Sequence, residues 1–463
     1  MTFIHFVIVF LIILILPGHS AAQQQTASLS CGFAAEVIEN LRPPRLGTYS
    51  LWDLVFGAPL SDEQFTDFHM MNDRTIIGAG RVRAHDGGSR PLIAVINRRG
   101  RVEWRWTDAQ ADRPARDIRL KKLIPHEDKF IVLGELFAQK QRSKIWIGVI
   151  TRGGTLEREA ILSDARYHLT FGDMIRNAEG DGWLVAKQMR ARPLGQSGPQ
   201  GAAFDPVFSR FAVLDEAFRV RWQRDFVPGP HNQVNNLTLL TDEVGEPFYV
   251  AAGHILDRFN RPSGLVMRMN IEGSISWQRS YPRGEGSSFA QIGALQGGLS
   301  NGDLIALGQA SPIEGEGRRA GWLMRLDAGN GTTVFERYYN HNDVSYQGKK
   351  LHLFADGRIG MLLSGETAID SELVSHGRLM TLSPRGVMLS DHSYTDAGGV
   401  VVHDYEIGPR GFVAIAGEVT VEEPDPNNLA EQTVISQKAW VLVTESNEPY
   451  KDPCEPVRRF GNE

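Results

Sequence analysis

The chain has 463 residues and a formal net charge of −6, with 49 Lys and Arg against 55 Asp and Glu, so no basic field marks nucleic acid as a partner. At 42% hydrophobic and 22% charged, its composition is that of a globular protein and excludes a disordered or fibrous chain. The 48 glycines and 23 prolines call for many tight turns.

Residues 3–16 (FIHFVIVFLIILIL) are almost wholly apolar, Pro17-Gly18 end the run, and Ser20-Ala21-Ala22 offer small residues for cleavage. This pattern reads as a secretory signal peptide over 1–22. The run is shorter than the roughly 20 apolar residues a bilayer-spanning helix needs, and no later segment reaches that length. The expectation is an exported chain, periplasmic or secreted, with no membrane span after signal removal. Because the n-region carries His5 but no Lys or Arg, a retained N-terminal anchor stays open.

Residues 23–47 form an N-terminal segment. Within it, GFAAEVIENL (32–41) places Phe33, Val37, Ile38 and Leu41 on one helical face, which predicts a short helix.

From residue 48 to 446 a weak unit recurs. Its first mark is an apolar run ending in a small residue: TIIGAG (75–80), FIVLGE (130–135), GWLVAKQ (182–188), FYVAAG (248–253), DLIALG (303–308), IGMLLSG (359–365) and FVAIAG (412–417). After each run comes an alternating strand, a Gly-containing turn and a strand rich in aromatics and Arg, as in SRFAVLDEAFRVRWQRDF (209–226), GLVMRMNIEGSISWQRSY (264–281) and GWLMRLDAGNGTTVFERYY (321–339). Gly80 and Gly134 lie 54 residues apart, Gly253 and Gly308 55, Gly308 and Gly365 57, and Gly365 and Gly417 52. The 119 residues from Gly134 to Gly253 hold two units and an insertion. Four short strands repeated at this length predict an all-β fold, a seven-bladed β-propeller.

The seventh unit stops after KAWVLVTES (438–446), and TYSLWDLVFG (48–57) resembles the fourth strands elsewhere. The N-terminal strand is therefore expected to complete the last blade and remove its open edge. Residues 447–463 are a C-terminal tail. The only two cysteines, Cys31 and Cys454, flank the repeats, and in an exported chain they are read as a disulfide, with two free thiols as the alternative. Trp104, Trp222, Trp277 and Phe335 recur in the fourth strands and are read as packing between blades.

The repeats, GWLMRLDAGNGTTVFERYY above all, resemble secreted bacterial β-propeller proteins of the quinoprotein-like and WD40-like superfamily. The resemblance spans about 48–446 and implies the fold. The Trp-Asp and Gly-His signatures of WD40 blades do not recur from unit to unit, and the tryptophan docking pattern of quinone-dependent dehydrogenases is absent, so no dehydrogenase activity is carried over.

Connections after the second strands are long (81–90, 136–144, 189–208, 254–263, 309–320, 366–376 and 418–437), whereas turns on the other face are tight. That asymmetry points to a working surface on the long-loop face. First strands would line a central channel and contain Asp67, Arg119, Asp173, Asn235, Gln291, Gln347, His403 and Asp404, a polar set suited to a small ligand or to bonds between blades. Thirteen histidines show neither H-E-x-x-H nor paired spacing, so neither a metal nor a cofactor is expected. The single G-x-S-x-G, Gly298 to Gly302, falls in a turn between strands and lacks the strand-to-helix context of a nucleophile elbow. Together these features favour a non-catalytic binding or scaffold propeller engaging a protein or an envelope polymer. A hydrolase or lyase acting on glycans or esters at the channel mouth is the alternative.

Overall fold

A computed structural model describes residues 36–38, 50–57, 61–83, 89–107, 116–137, 141–191, 207–229, 231–242, 244–256, 261–283, 287–294, 303–311, 318–340, 344–369, 372–395, 399–408, 411–424 and 433–445. The signal segment 1–22, Cys31, Cys454 and the tail 447–463 lie outside them. Among the described residues the chain is all β, with no helix.

Two strands precede the repeats, β1 (Glu36–Ile38) and β2 (Ser50–Phe56). One antiparallel sheet holds β3 (Asp62–Met70), β4 (Ile76–Arg83), β5 (Ser89–Ile96) and β6 (Val102–Thr107). A second holds β7 (Asp117–His126), β8 (Lys129–Phe137), β9 (Lys144–Thr151) and β10 (Leu156–Leu162). An eight-stranded sheet follows. Its first half is β11 (His168–Arg176), β12 (Gly182–Arg190), β13 (Val207–Asp215) and β14 (Val220–Phe226). Its second half is β15 (His231–Thr241), β16 (Pro247–Leu256), β17 (Pro262–Met269) and β18 (Ile275–Tyr281), joined to the first by one parallel bridge between Val207 and His231.

Next come β19 (Ser288–Ala294), β20 (Leu304–Ala310), β21 (Ala320–Leu326) and β22 (Thr333–Tyr339), then β23 (Val344–Leu353), β24 (Ile359–Ile369), β25 (Glu372–Leu382) and β26 (Met388–Tyr394). The last sheet is β27 (Val400–Ile407), β28 (Phe412–Pro424) and β29 (Thr433–Glu445), and β2 pairs antiparallel with β29 as its fourth strand.

Burial follows sequence pattern. The second and third strands are apolar on both faces and buried on both, as in β20 (LIALGQA) and β21 (AGWLMRL). Outer strands such as β14 and β18 alternate and stay largely exposed. Apolar clusters fill the spaces between neighbouring sheets: Leu184, Phe211 and Val213 meet Val234, Tyr249 and Leu265 in one of them. In another, Phe65, Ile76 and Leu92 of the first sheet meet Ala414, Ala439 and Val441 of the last.

A second contact recurs at the outer strands. Each hairpin between third and fourth strands turns through a residue at positive φ, glycine in five of the six: Gly100, Gly154, Gly273, Gly331 and Gly386, with Phe218 in the remaining one. An aromatic ring from the preceding sheet lies flat on most of these glycines. A Cβ at Gly154 would lie 3.0 Å from Trp104, at Gly273 2.7 Å from Trp222, and at Gly331 2.6 Å from Trp277. Glycine therefore satisfies both the left-handed backbone and the ring above it. Trp52 of β2 occupies the same place over Gly100, with 3.0 Å to a Cβ there. The fourth-strand aromatics thus pack between sheets, as their recurrence predicts.

Two expectations are corrected. The helix over 32–41 is replaced at its centre by β1, which pairs parallel with β22, Glu36 to Arg337 and Ile38 to Tyr339. β22 is buried over Phe335–Tyr339 where other outer strands are exposed, and pairing to an edge satisfies backbone groups that one short helical turn leaves open. The connections 366–376 and 418–437 are largely ladder. Pairing continues to Ile369–Glu372 and to Pro424–Thr433, so two hairpin arms extend on the side of the second-to-third connections.

Candidate functional site

Every first strand breaks register once, at one extra residue. The breaks fall at Thr66, Lys121, Gly172, Asn235, Ala290, Lys349 and His403 in β3, β7, β11, β15, β19, β23 and β27. Such bulges re-aim side chains. The residue that follows each one, Asp67, Lys122, Asp173, Asn236, Gln291, Lys350 or Asp404, reaches the next sheet.

Asp67 Oδ2 accepts the Leu123 N–H at 2.7 Å. Lys122 Nζ donates to Asp173 Oδ1, and Asp173 Oδ2 accepts the Leu237 N–H at 2.7 Å. Asn236 Oδ1 accepts the Ile292 N–H at 3.0 Å, and Gln291 Oε1 accepts the Leu351 N–H. Lys350 Nζ lies 2.7 Å from Asp404 Oδ1, and Asp404 Oδ2 accepts the Phe68 N–H at 3.3 Å. Phe68 follows Asp67, so the series of bonds returns to the strand where it began.

These residues surround a polar cavity of about 260 Å³, lined among others by Lys121, Lys122, Asn235, Lys349, Lys350 and His403. Of the sequence-predicted residues, Asp67, Asp173, Asn235, Gln291, His403 and Asp404 all line it. Gln347 lines an adjoining cavity shared with Asn235 and Lys349. Arg119 lines neither; its guanidinium lies 4.3 Å from the centre of the Phe137 ring and 3.4 Å from Asp117.

Lys121, Lys122, Asn236, Lys349 and Lys350 escaped sequence reading. Their signal is the adjacent polar pair inside an apolar strand, Lys121-Lys122, Asn235-Asn236, Lys349-Lys350 and His403-Asp404, at the bulge in each case.

Electrostatics in the cavity are set by burial. Burial, and then the charge of Asp404, push the Asp67 carboxyl well above its ordinary range. Burial lowers the Lys349 ammonium, whereas at Lys350 the charges of Asp404 and Asp67 outweigh burial and raise it. His403 Nε2 is buried with no hydrogen-bond partner among the described residues, 3.6 Å from Glu418 Oε1.

Toward the second-to-third connections, His254 of β16 stacks on His231, 5.5 Å between ring centres. Burial, then the charges of His231 and Arg190, push the His254 imidazole down to about 4. Between pH 6.5 and 4 the unfolded chain therefore binds a proton here that the folded chain refuses, and stability falls as pH falls through that window. The expected loss is up to about 3 kcal/mol. Urea unfolding at pH 7 and pH 4.5 should show a clearly smaller pH difference for His254→Gln than for the parent chain.

No family model and no curated protein matches the sequence. The fold is similar to that of an α-L-arabinanase of Penicillium chrysogenum, at 11% identity over 70% of this chain and 94% of that chain, with a TM-score of 0.43. It is also similar to the WD40 domain of SCAP from fission yeast, at 8% identity over 85% and 98% with a TM-score of 0.34. A third similar chain is a subtype N10 neuraminidase-like protein of A/little yellow-shouldered bat/Guatemala/060/2010, at 10% identity over 85% and 100% with a TM-score of 0.36.

Proposed function

We propose that the chain is an exported seven-bladed β-propeller, closed by β2, that acts as a binding or scaffold module. In this reading 1–22 is removed on export, 23–47 is an N-terminal segment and 48–446 is the propeller. The eight-stranded sheet counts as two blades because a single bridge joins its halves. The face carrying the second-to-third connections and the two hairpin arms engages a protein or an envelope polymer, and the polar channel opens toward it.

The observation that carries the binding reading is the state of the cavity carboxylates. Asp67, Asp173 and Asp404 each accept a backbone N–H from a neighbouring sheet. Side chains spent on fastening sheets together are poorly free to act as general acid and base. The alternative, a hydrolase or lyase on glycans or esters, draws on Asp67, whose carboxyl is pushed upward by burial and the charge of Asp404.

Affinity capture from envelope extract tests the binding reading. Deleting 425–432 or 192–206 should abolish recovery of the partner, while a changed Asp356-Gly357 turn on the opposite face should leave it intact. Unchanged recovery after each loop deletion counts against the reading. Glycan or ester turnover lost on Asp67→Asn would establish the alternative.

A further inference from the structure

We propose that the channel binds one small anionic ligand, a carboxylate or phosphate no larger than a monosaccharide, between the ammonium groups of Lys121 and Lys349. The proposal rests on reading the channel as a ligand site. Its premise is a division of labour at the bulges. The residue after each bulge is consumed in bonds between sheets, Lys122 with Asp173 and Lys350 with Asp404 included. At the bulge itself, Thr66 donates to the Leu120 carbonyl at 2.9 Å and Asn235 to the Phe289 carbonyl at 2.8 Å, so these side chains also fasten neighbours.

Lys121 and Lys349 stand at the same position in β7 and β23 without that bond. Lys121 is half exposed, with Glu135 Oε2 3.9 Å away. Lys349 donates to the Gln347 amide, and no carboxylate reaches ion-pair distance of it among the described residues. Both lysines line the 260 Å³ cavity.

The charge of the cavity wall points the same way. Four lysines face three aspartates there; burial moves Asp67 among the acids and Lys349 among the bases toward their neutral forms. In a chain whose net charge is −6, this wall carries one more lysine than aspartate. Ammonium groups in a confined, partly desolvated space bind anions more strongly than the same groups on an open surface. The cavity, about 260 Å³, has room for a single small molecule. His403, on the same wall, places an imidazole beside the two lysines.

Isothermal titration of the full mature chain with glucuronate, inorganic phosphate and glucose, at matched ionic strength, tests this. Glucuronate or phosphate should bind saturably at one site, and glucose at least tenfold more weakly. The better anion identifies the group the site prefers. Lys121→Met and Lys349→Met should each weaken anion binding about tenfold, and the double variant should abolish it. Lys349→Arg, which keeps the charge, should retain most of it. Thermal unfolding without ligand checks the fold: Lys349→Met, which removes a part-buried cation that pairs with an amide and with no carboxylate among the described residues, should melt no lower than the parent. Glucose binding as tightly as glucuronate would overturn the anion assignment while leaving the channel a ligand site. Silence from all three ligands, or anion binding unchanged in the double variant, would overturn both.

Discussion

Lys350→Met should destabilise the chain by about 3 kcal/mol at pH 7, the low end of the range for breaking a buried ion pair, because a third of the Lys350 side chain is exposed. Lys350 Nζ lies 2.7 Å from Asp404 Oδ1 and 3.9 Å from Asp67 Oδ1, and both aspartates are shielded from water. Without the ammonium, two carboxylates face each other across the seam between the first and last sheets, where Asp404 also holds the Phe68 N–H. The sign of the pH dependence follows. With the cation gone, the lowering influence of Lys350 on Asp67 is lost and its carboxyl is pushed further up in the folded state, so the folded chain binds more protons than the unfolded chain above pH 4. Stability of the variant therefore falls as pH rises, and its deficit is largest at neutral pH and shrinks toward pH 4–5. Adding Asp404→Asn, which keeps an acceptor for Phe68 and removes one charge, should recover most of the loss. Urea unfolding of the single and double variants at pH 7 and pH 4.5 measures all of these; a deficit that grows on acidification would show that the pair contributes through packing and not through charge.

Much of the architecture was legible because the same physical demand recurs in each unit. The glycine that ends the second strand is the clearest case. Gly80, Gly253, Gly308 and Gly417 each face a first-strand residue just before its bulge, where the opposing carbonyl crowds the backbone. Trp52 was legible for a similar reason, since its ring needs the same flat seat on a turn glycine that Trp104, Trp222 and Trp277 take. The period faltered where the demand is met from the other strand. In β12 the equivalent position is Lys187, facing Phe171, and the bulge residue itself is Gly172. In β24 it is Leu363, facing Gly348, so Gly365 is two residues out of phase and the spacings of 57 and 52 are uneven.

Channel residues were legible only where polarity alone identified them. Asp67, Asp173, Gln291 and Asp404 stand out as polar groups in apolar strands. Arg119, Asn235 and Gln347 were read in place of Lys122, Asn236 and Lys350, which stand one to three residues further on, because the bulge decides which side chain crosses to the next sheet. The helix over 32–41 failed for a different reason: local periodicity competed with an available sheet edge, and the edge won.

Gly253→Ala should cost about 3 kcal/mol or more, at the upper limit of ordinary overpacking, although it adds a single methyl group. A Cβ there would stand 2.0 Å from the Gln233 carbonyl oxygen and 2.9 Å from the carbon that bears it. Neither atom belongs to a flexible side chain. To make room, β15 and β16 would have to separate beside the Val234–Asn236 register break, and Asn236 would lose its reach to Ile292 in the next sheet. The damage thus travels from one Cβ to a hydrogen bond between sheets. Gly308→Ala, 2.0 Å from the Ser288 oxygen, should behave alike. Gly153→Ala is the control: its nearest neighbour would be 3.9 Å away in an exposed turn, and its cost should stay within about 0.5 kcal/mol. Guanidinium unfolding of the three variants decides the matter. A Gly253→Ala loss no larger than that of Gly153→Ala would mean that the repeated glycine records turn or strand preference and not the close approach of two backbones.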